Sequence, residues 1–234
     1  NVVSSYTGRG TNIGGICGSM SKGEIMGCYN TGAVSTGGKR AVGGIAGSAG
    51  GDVTNCYNIG VVSTSNSSSQ QIGGIVGMFS GTTLTNCYNT GTVTAPEYDP
   101  IVGKSSGAAY ANCYYIDKTG TDENENALPA ADINTARFAT KLGAAFGSLG
   151  SGAPVLMWQT GAKAVAAFDV APEDAVVTLT PAAQTAAGEK NVFLLTSGTS
   201  YTYTVSASGR ADASGALETG SKLYTIELPA AQAY

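Results

Sequence analysis

Between residues 72 and 94 the apolar positions fall in short runs separated by glycine or small polar residues. Ile72-Gly73-Gly74-Ile75-Val76-Gly77 is followed by Thr83-Leu84-Thr85-Asn86-Cys87-Tyr88-Asn89-Thr90-Gly91-Thr92-Val93. In the second run Cys87, Asn89, Gly91 and Val93 share one parity, and Tyr88, Thr90 and Thr92 take the other. That period of two belongs to a strand. The pattern predicts short strands at 72–76, 83–89 and 91–94. It also recurs. The glycine pairs Gly14-Gly15, Gly43-Gly44 and Gly73-Gly74 are spaced by 29 and 30 residues. Cys28, Cys56, Cys87 and Cys113 follow them at steps of 28, 31 and 26.

A period near 29 built from strand-sized pieces predicts a stacked array rather than a globule. One unit makes one turn of a coil with three faces. Neighbouring turns then sit about 4.8 Å apart, the spacing of hydrogen-bonded strands. Equivalent residues form ladders: Ile16, Ile45, Ile75 and Ile101; Ile25, Val53, Leu84 and Tyr110; the four cysteines. A single turn cannot bury its inner face, but a stack can. The fold expected for residues 1–116 is therefore a β-solenoid, a right-handed β-helix of about four turns. Glycine is expected to serve coil corners through positive φ angles. In the fourth copy Ala95-Pro96-Glu97-Tyr98-Asp99-Pro100 displaces the glycine pair and leaves Ile101-Val102-Gly103.

After residue 116 the pattern changes. Phe138, Leu142 and Phe146 stand four apart, with Ile133 and Ala136 extending the stripe, which predicts one amphipathic helix. The segment 117–160 is expected to cap the open end of the array. Its 154–159 stretch would add a final rung and bury Trp158. Five strand-like runs at 164–170, 175–180, 192–196, 201–206 and 223–228 predict a small antiparallel β-sandwich over 161–234.

Composition narrows the function. Of 34 glycines, 23 precede residue 117, too many for an ordinary helical or α/β core. The net charge is −4 with no basic cluster, which argues against nucleic acid. No apolar run reaches the roughly 20 residues of a membrane span, so direct membrane insertion is not expected. The chain has no histidine, which removes His-based nucleophile pairs and the usual general base. Val2-Val3-Ser4-Ser5 matches the tail of a repeat, so the chain reads as part of something longer whose remainder would be its neighbour.

Candidate chemistry is sparse. Ser19-Met20-Ser21-Lys22 spells a nucleophile pattern of penicillin-interacting enzymes, but in a corner loop it reads as chance. The acidic residues between Asp117 and Asn126 could hold calcium, yet do not match an EF-hand loop and read as a solvated linker. Stacked cysteines would place their side chains in parallel, unsuited to a disulfide, so free buried thiols are expected. Tyr29, Tyr57, Tyr88 and Tyr114 either pack under neighbouring loops, the favoured reading, or form an exposed strip. Glu97, Tyr98 and Asp99 are the first place to seek a ligand. No catalytic residue, metal or cofactor is assigned. A carbohydrate-active or carbohydrate-binding β-helix would line one face with acidic and basic residues. In this region Glu24, Asp52, Glu97, Asp99 and five basic residues show no repeat spacing that would do so.

The unit Gly-Gly-Ile-x-Gly, then Asn-Cys-Tyr-Asn-Thr-Gly-x-Val, resembles the GLUG-motif repeats of large bacterial surface proteins over residues 1–116. That family includes adhesins and regions flanking immunoglobulin-A metallopeptidases. The resemblance implies an extracellular, bacterial surface or secreted protein with a non-catalytic structural or adhesive role and a host or matrix protein or glycan as partner. A non-catalytic flank of a surface peptidase is the remaining alternative. The motif is structural and brings Gly14, Gly15, Gly43, Gly44, Gly73, Gly74 and the four cysteines into that role. The segment ending in Pro154-Val155-Leu156-Met157-Trp158-Gln159 resembles the close of such arrays. Residues 160–234 loosely resemble PEGA or Ig-like modules.

Overall fold

The computed structural model describes residues 1–4, 11–38, 41–66, 71–106, 110–117, 124 and 126–231. The chain divides into two units, Asn1–Ala130 and Ala131–Tyr234.

The first unit is a β-solenoid. Three complete turns run over 13–36, 42–64 and 72–94, followed by an incomplete fourth at 102–116. Every strand pair between turns is parallel. The strands collect into four columns rather than the expected three. The additional column arises at the glycine pair, where Ile13–Gly14, Val42–Gly43 and Ile72–Gly73 form a short sheet of their own. Beside it stand Cys17–Met20, Ala46–Ala49, Val76–Phe79 and Val102–Ser105. The cysteine-bearing column ends in Tyr110–Ile116, and Ala127–Leu128 adds one further parallel rung with Tyr115 opposite Ala127. The last column begins with Val2–Ser4, which pairs with Val34–Thr36.

The core of this unit is the stack of ladders read from the sequence, but not at its ends: Tyr110, expected to follow Ile25, Val53 and Leu84, is 44% exposed. Ile45 and Ile75 are fully buried and Ile101 nearly so, and the amides of Ile16, Ile45 and Ile75 each donate to the isoleucine carbonyl one turn on. Ile16, on the first complete turn, is 48% exposed. Val34, Val62 and Val93 with Val42 and Ile72 form a second apolar cluster.

The second unit departs from expectation in four ways. The predicted helix is two helices of four residues, Ala130–Ile133 and Ala139–Leu142, and Phe146 lies in a strand. Tertiary bonds replace the continuous helix: the Glu189 carboxylate accepts from the amides of Ala136 (2.7 Å) and Arg137 (2.9 Å). Gly143, at φ 86°, then ends the second helix. Next, Val155–Leu156 pairs antiparallel with Phe146–Gly147 instead of adding a rung to the array. Arg137 pairs with Asp169 at 2.6 Å. The Ser221 hydroxyl donates to the Phe146 carbonyl (2.6 Å) and accepts from the Val165 amide (3.0 Å). These bonds fasten the later part of the expected cap segment, from Arg137 on, within the unit 131–234. Third, Trp158 is 64% exposed. The Gln159 side chain accepts from the Leu156 amide at 2.8 Å, closing a turn in which Leu156 takes the interior place.

Finally, the strands after 160 are not all antiparallel. They form a sheet of four, ordered Gln184–Thr185, Val192–Leu195, Ala164–Ala171, Lys222–Glu227, and a sheet of three, ordered Val176–Thr180, Thr202–Ser206, Ala213–Ala216. Ala164–Ala171 and Lys222–Glu227 run parallel. A parallel pair needs a long crossover, and the intervening chain that builds the other sheet supplies it. Both sheets feed one apolar cluster, with Ala166, Phe168, Phe193 and Leu195 from one and Val177, Leu179 and Val205 from the other. Burial alternates along Val176–Thr180, the mark of a sheet with one wet face.

Candidate functional site: the asparagine and cysteine columns

The asparagine after each Cys-Tyr closes the next corner. Asn58 Nδ2 donates to the Gly60 carbonyl (2.8 Å), and its Oδ1 accepts from the Gly60 amide (3.2 Å). Asn30 and Asn89 repeat both bonds with Gly32 and Gly91. The same side chains link the turns: Asn30 Nδ2 donates to Asn58 Oδ1 (2.8 Å) and Asn58 Nδ2 to Asn89 Oδ1 (2.9 Å). Asn58 and Asn89 are buried, so each amide group is satisfied inside the stack. In the fourth turn Tyr115 stands opposite Asn89 and the amide column stops.

This column explains the glycine pairs. A Cβ on Gly15, Gly44 or Gly74 would strike the side chain of Asn30, Asn58 or Asn89 respectively. A Cβ on Gly14, Gly43 or Gly73 would strike backbone carbonyls of its own and the next turn. Close approach, not positive φ, makes these positions glycine. Positive φ is needed just before each of the four stacked cysteines instead: Gly27 at 62°, Asn55 at 52°, Asn86 at 53° and Asn112 at 52°. Asparagine is among the few side chains that enter this left-handed region readily. These residues form an outer amide column, with Asn112 Nδ2 donating to Asn86 Oδ1 (3.0 Å) and Asn86 Nδ2 to Asn55 Oδ1 (3.2 Å). Its bonds run from higher to lower number, opposite to the inner column.

The left-handed step turns each cysteine inward. All five cysteines are free thiols, with Cys56, Cys87 and Cys113 buried and Cys17 and Cys28 half-buried. Cys28, Cys56, Cys87 and Cys113 donate to the carbonyl two residues back at 3.3, 3.2, 3.3 and 3.4 Å. The three later thiols also lie 3.7, 3.9 and 3.6 Å from a carbonyl of the preceding turn. Burial pushes the Cys87 and Cys28 thiols up, and neighbouring thiols add to it. Cys56 moves down, chiefly through the neighbouring Cys87 thiol. Beside this column the rings of Tyr29, Tyr57 and Tyr88 stack nearly parallel at 5.1 and 4.9 Å. Tyr57 and Tyr88 are buried, so this part of the column is not an exposed strip. Burial also raises the Tyr88 hydroxyl well above its ordinary value.

The fourth-copy loop separates the candidate residues. Glu97 and Tyr98 are exposed, whereas Asp99 is half-buried. Asp99 Oδ1 accepts from the amides of Ile101 (2.7 Å) and Val102 (2.8 Å). Its backbone bridges Gly73 in parallel. Asp99 therefore fastens the incomplete turn where the glycine pair is missing, and only Glu97 and Tyr98 are presented outward.

Two other carboxylates do recur, contrary to the expectation of no repeat spacing. Glu24 and Asp52 are in register on adjacent turns. Glu24 accepts from the Thr54 hydroxyl (3.0 Å), and Asp52 from the Thr83 amide (2.9 Å). Ser19 lies in a strand and not at a helix N-terminus, as the penicillin-enzyme pattern would require. Among the described residues no three His, Cys, Asp or Glu side chains converge as a metal site. Asp122, Glu123 and Glu125 of the calcium candidate lie outside the described residues.

Both amide columns were missed at the sequence level. Their signal was present in the recurring Asn-Cys-Tyr-Asn, with one asparagine on each side of Cys-Tyr. Residues 68–94, the third turn and its approach, match the family model described as the GLUG motif. No curated protein and no solved structure matches the chain.

Proposed function

We propose that this chain, whose residues 68–94 are a GLUG motif, is a non-catalytic structural repeat segment of a bacterial surface or secreted protein. Its role is to hold a rigid frame from which variable loops reach a host or matrix ligand. The observation that carries this reading is the use of the repeated polar side chains. Asn30, Asn58 and Asn89 spend their amide groups on their own corner and on the next turn. A residue repeated for chemistry would present its functional group outward, and these repeat to build. The positions that differ between copies carry the recognition: Glu97 and Tyr98, both exposed in the loop that replaces the fourth glycine pair. A tyrosine beside a carboxylate suits a glycan or a polar protein surface. The two-sheet region after residue 160 is, on this reading, a sandwich module that spaces the array from its neighbours. Among the described residues no helix is long and apolar enough to cross a membrane.

The test is a glycan and matrix-protein binding screen on the whole chain and on Glu97→Ala/Tyr98→Ala. Asp99 is left in place because its carboxylate holds the turn. Loss of a hit in the double variant supports the assignment. A hit that survives it moves recognition elsewhere, and turnover of a screened glycan overturns the non-catalytic reading.

A further inference from the structure

We propose that Cys28 and Cys56 form a two-coordinate site for a soft, closed-shell metal cation that accepts linear thiolate ligation. Tyr29 pairs with Tyr57, which sets Cys28 beside Cys56 on adjacent turns. Each sulfur lies at nearly the same distance from the carbonyl two residues back in its own turn, 3.3 Å for Cys28 and 3.2 Å for Cys56. Equivalent placement in equivalent turns makes the sulfur spacing equal the step between turns, about 4.8 Å. A linear S–metal–S unit spans two metal–sulfur bonds, about 4.6 Å if each is near the 2.3 Å of zinc–thiolate bonds. A disulfide would need the two sulfurs far closer, which parallel side chains on successive strands prevent. Cys28 and Cys56 are thus too far apart to oxidise together and correctly spaced to share an ion, and of the neighbouring pairs in the column theirs includes the half-buried thiol.

The same geometry sets selectivity. A parallel column offers ligands in pairs along a line, so tetrahedral ions find two of the four donors they require. Thiolate ligands favour soft ions. Binding a divalent ion breaks two S–H bonds, forms two S–metal bonds and releases two protons to solvent. The product, RS–M–SR, is neutral. Neutrality matters because the pair faces the apolar cluster containing Ile25, Val53 and Cys87, where a net charge is costly. Hg(II) meets each requirement and is the probe of choice. Monovalent ions of the class, Cu(I) and Ag(I), would leave one negative charge on the site and bind less well. Entry is from Cys28, which is half-buried, whereas Cys56, Cys87 and Cys113 are buried. Cys17 lies in a different strand column and does not belong to the pair.

The experiment loads the reduced chain with Hg(II) under anaerobic conditions. It then removes weakly held metal by gel filtration against an excess of a monothiol, and counts retained metal. The chain should retain one ion, with the ultraviolet charge-transfer absorption of a bis-thiolate. Zn(II) should not be retained. Cys28→Ser and Cys56→Ser should each abolish retention, while Cys17→Ser and Cys113→Ser should keep it. Circular dichroism of each variant before loading establishes that it is folded, and Cys28→Ser alters only a half-buried position. Retention that survives Cys28→Ser, or a parent chain that gives up its metal to the monothiol, would overturn the site.

Discussion

Asn58 donates through Nδ2 to Oδ1 of Asn89, one turn away, at 2.9 Å, while both atoms of the Asn58 amide also bond Gly60. One side chain thus does what a strand backbone does, closing its own turn and joining the next. Asn58→Ala removes four bonds, including the one accepted from Asn30. At about 1 kcal/mol net for each, the loss should be roughly 3–4 kcal/mol in urea unfolding. A loss below about 1 kcal/mol would mean that the column is not a source of stability.

Gly44 and Gly23 test why glycine is used. A Cβ on Gly44 meets the Asn58 side chain and the Gly74 carbonyl, both in the tightly bonded interior. Gly44→Ala should cost more than about 2 kcal/mol, since the neighbours cannot move apart without breaking bonds. Gly23 has open space around it but φ of 101°. Gly23→Ala should cost only about 1 kcal/mol of backbone strain. The reverse order would return the glycines to a conformational role.

Gly27 occupies the left-handed position that asparagine fills in the next three turns. Gly27→Asn extends the outer amide column by one rung toward Asn55. It should stabilise the chain by about 0.5–1 kcal/mol, through fewer unfolded conformations and one added bond. A destabilised variant would show that the outer column does not propagate to the first turn.

Stability should fall in alkali. Cys87, Cys28 and Tyr88 are all raised, by burial first. A raised group contributes stability that is complete below its unfolded value and lost as pH rises toward its folded one. The decline should begin near the unfolded thiol value, about pH 8.5, and steepen above about pH 10 as tyrosine joins. Cys56, shifted down by Cys87, opposes part of it. Urea midpoints of the reduced chain between neutral and alkaline pH would measure this. Cys87→Ser should flatten the curve above the thiol range. An unchanged slope would remove Cys87 as its cause.

Much of the array was legible because a repeated unit exposes its own register. Aligning Cys28, Cys56, Cys87 and Cys113 placed the ladders, since equivalent residues stack in parallel strands. The bonding of the asparagines was not legible: parity put Asn89 inside without saying that its amide would meet Gly91 and Asn58. The glycines were read through backbone freedom, whereas crowding by the next turn decides most of them. Beyond residue 130 the helical stripe of Phe138, Leu142 and Phe146 failed because Glu189, more than 50 residues away, holds the backbone amides the helix would have used. The parallel partner of Ala164–Ala171 lies equally far along the chain, out of reach of any local pattern.

The two amide columns run in opposite senses, the inner one donating from Asn30 toward Asn89 and the outer one from Asn112 toward Asn55. Their side-chain dipoles oppose one another along the stacking axis. An α-helix accumulates polarity as it lengthens and must place charges at its ends to meet it. In these paired columns each added rung contributes two nearly cancelling dipoles, so such a coil can grow without building up an electric field from its amide columns at either end.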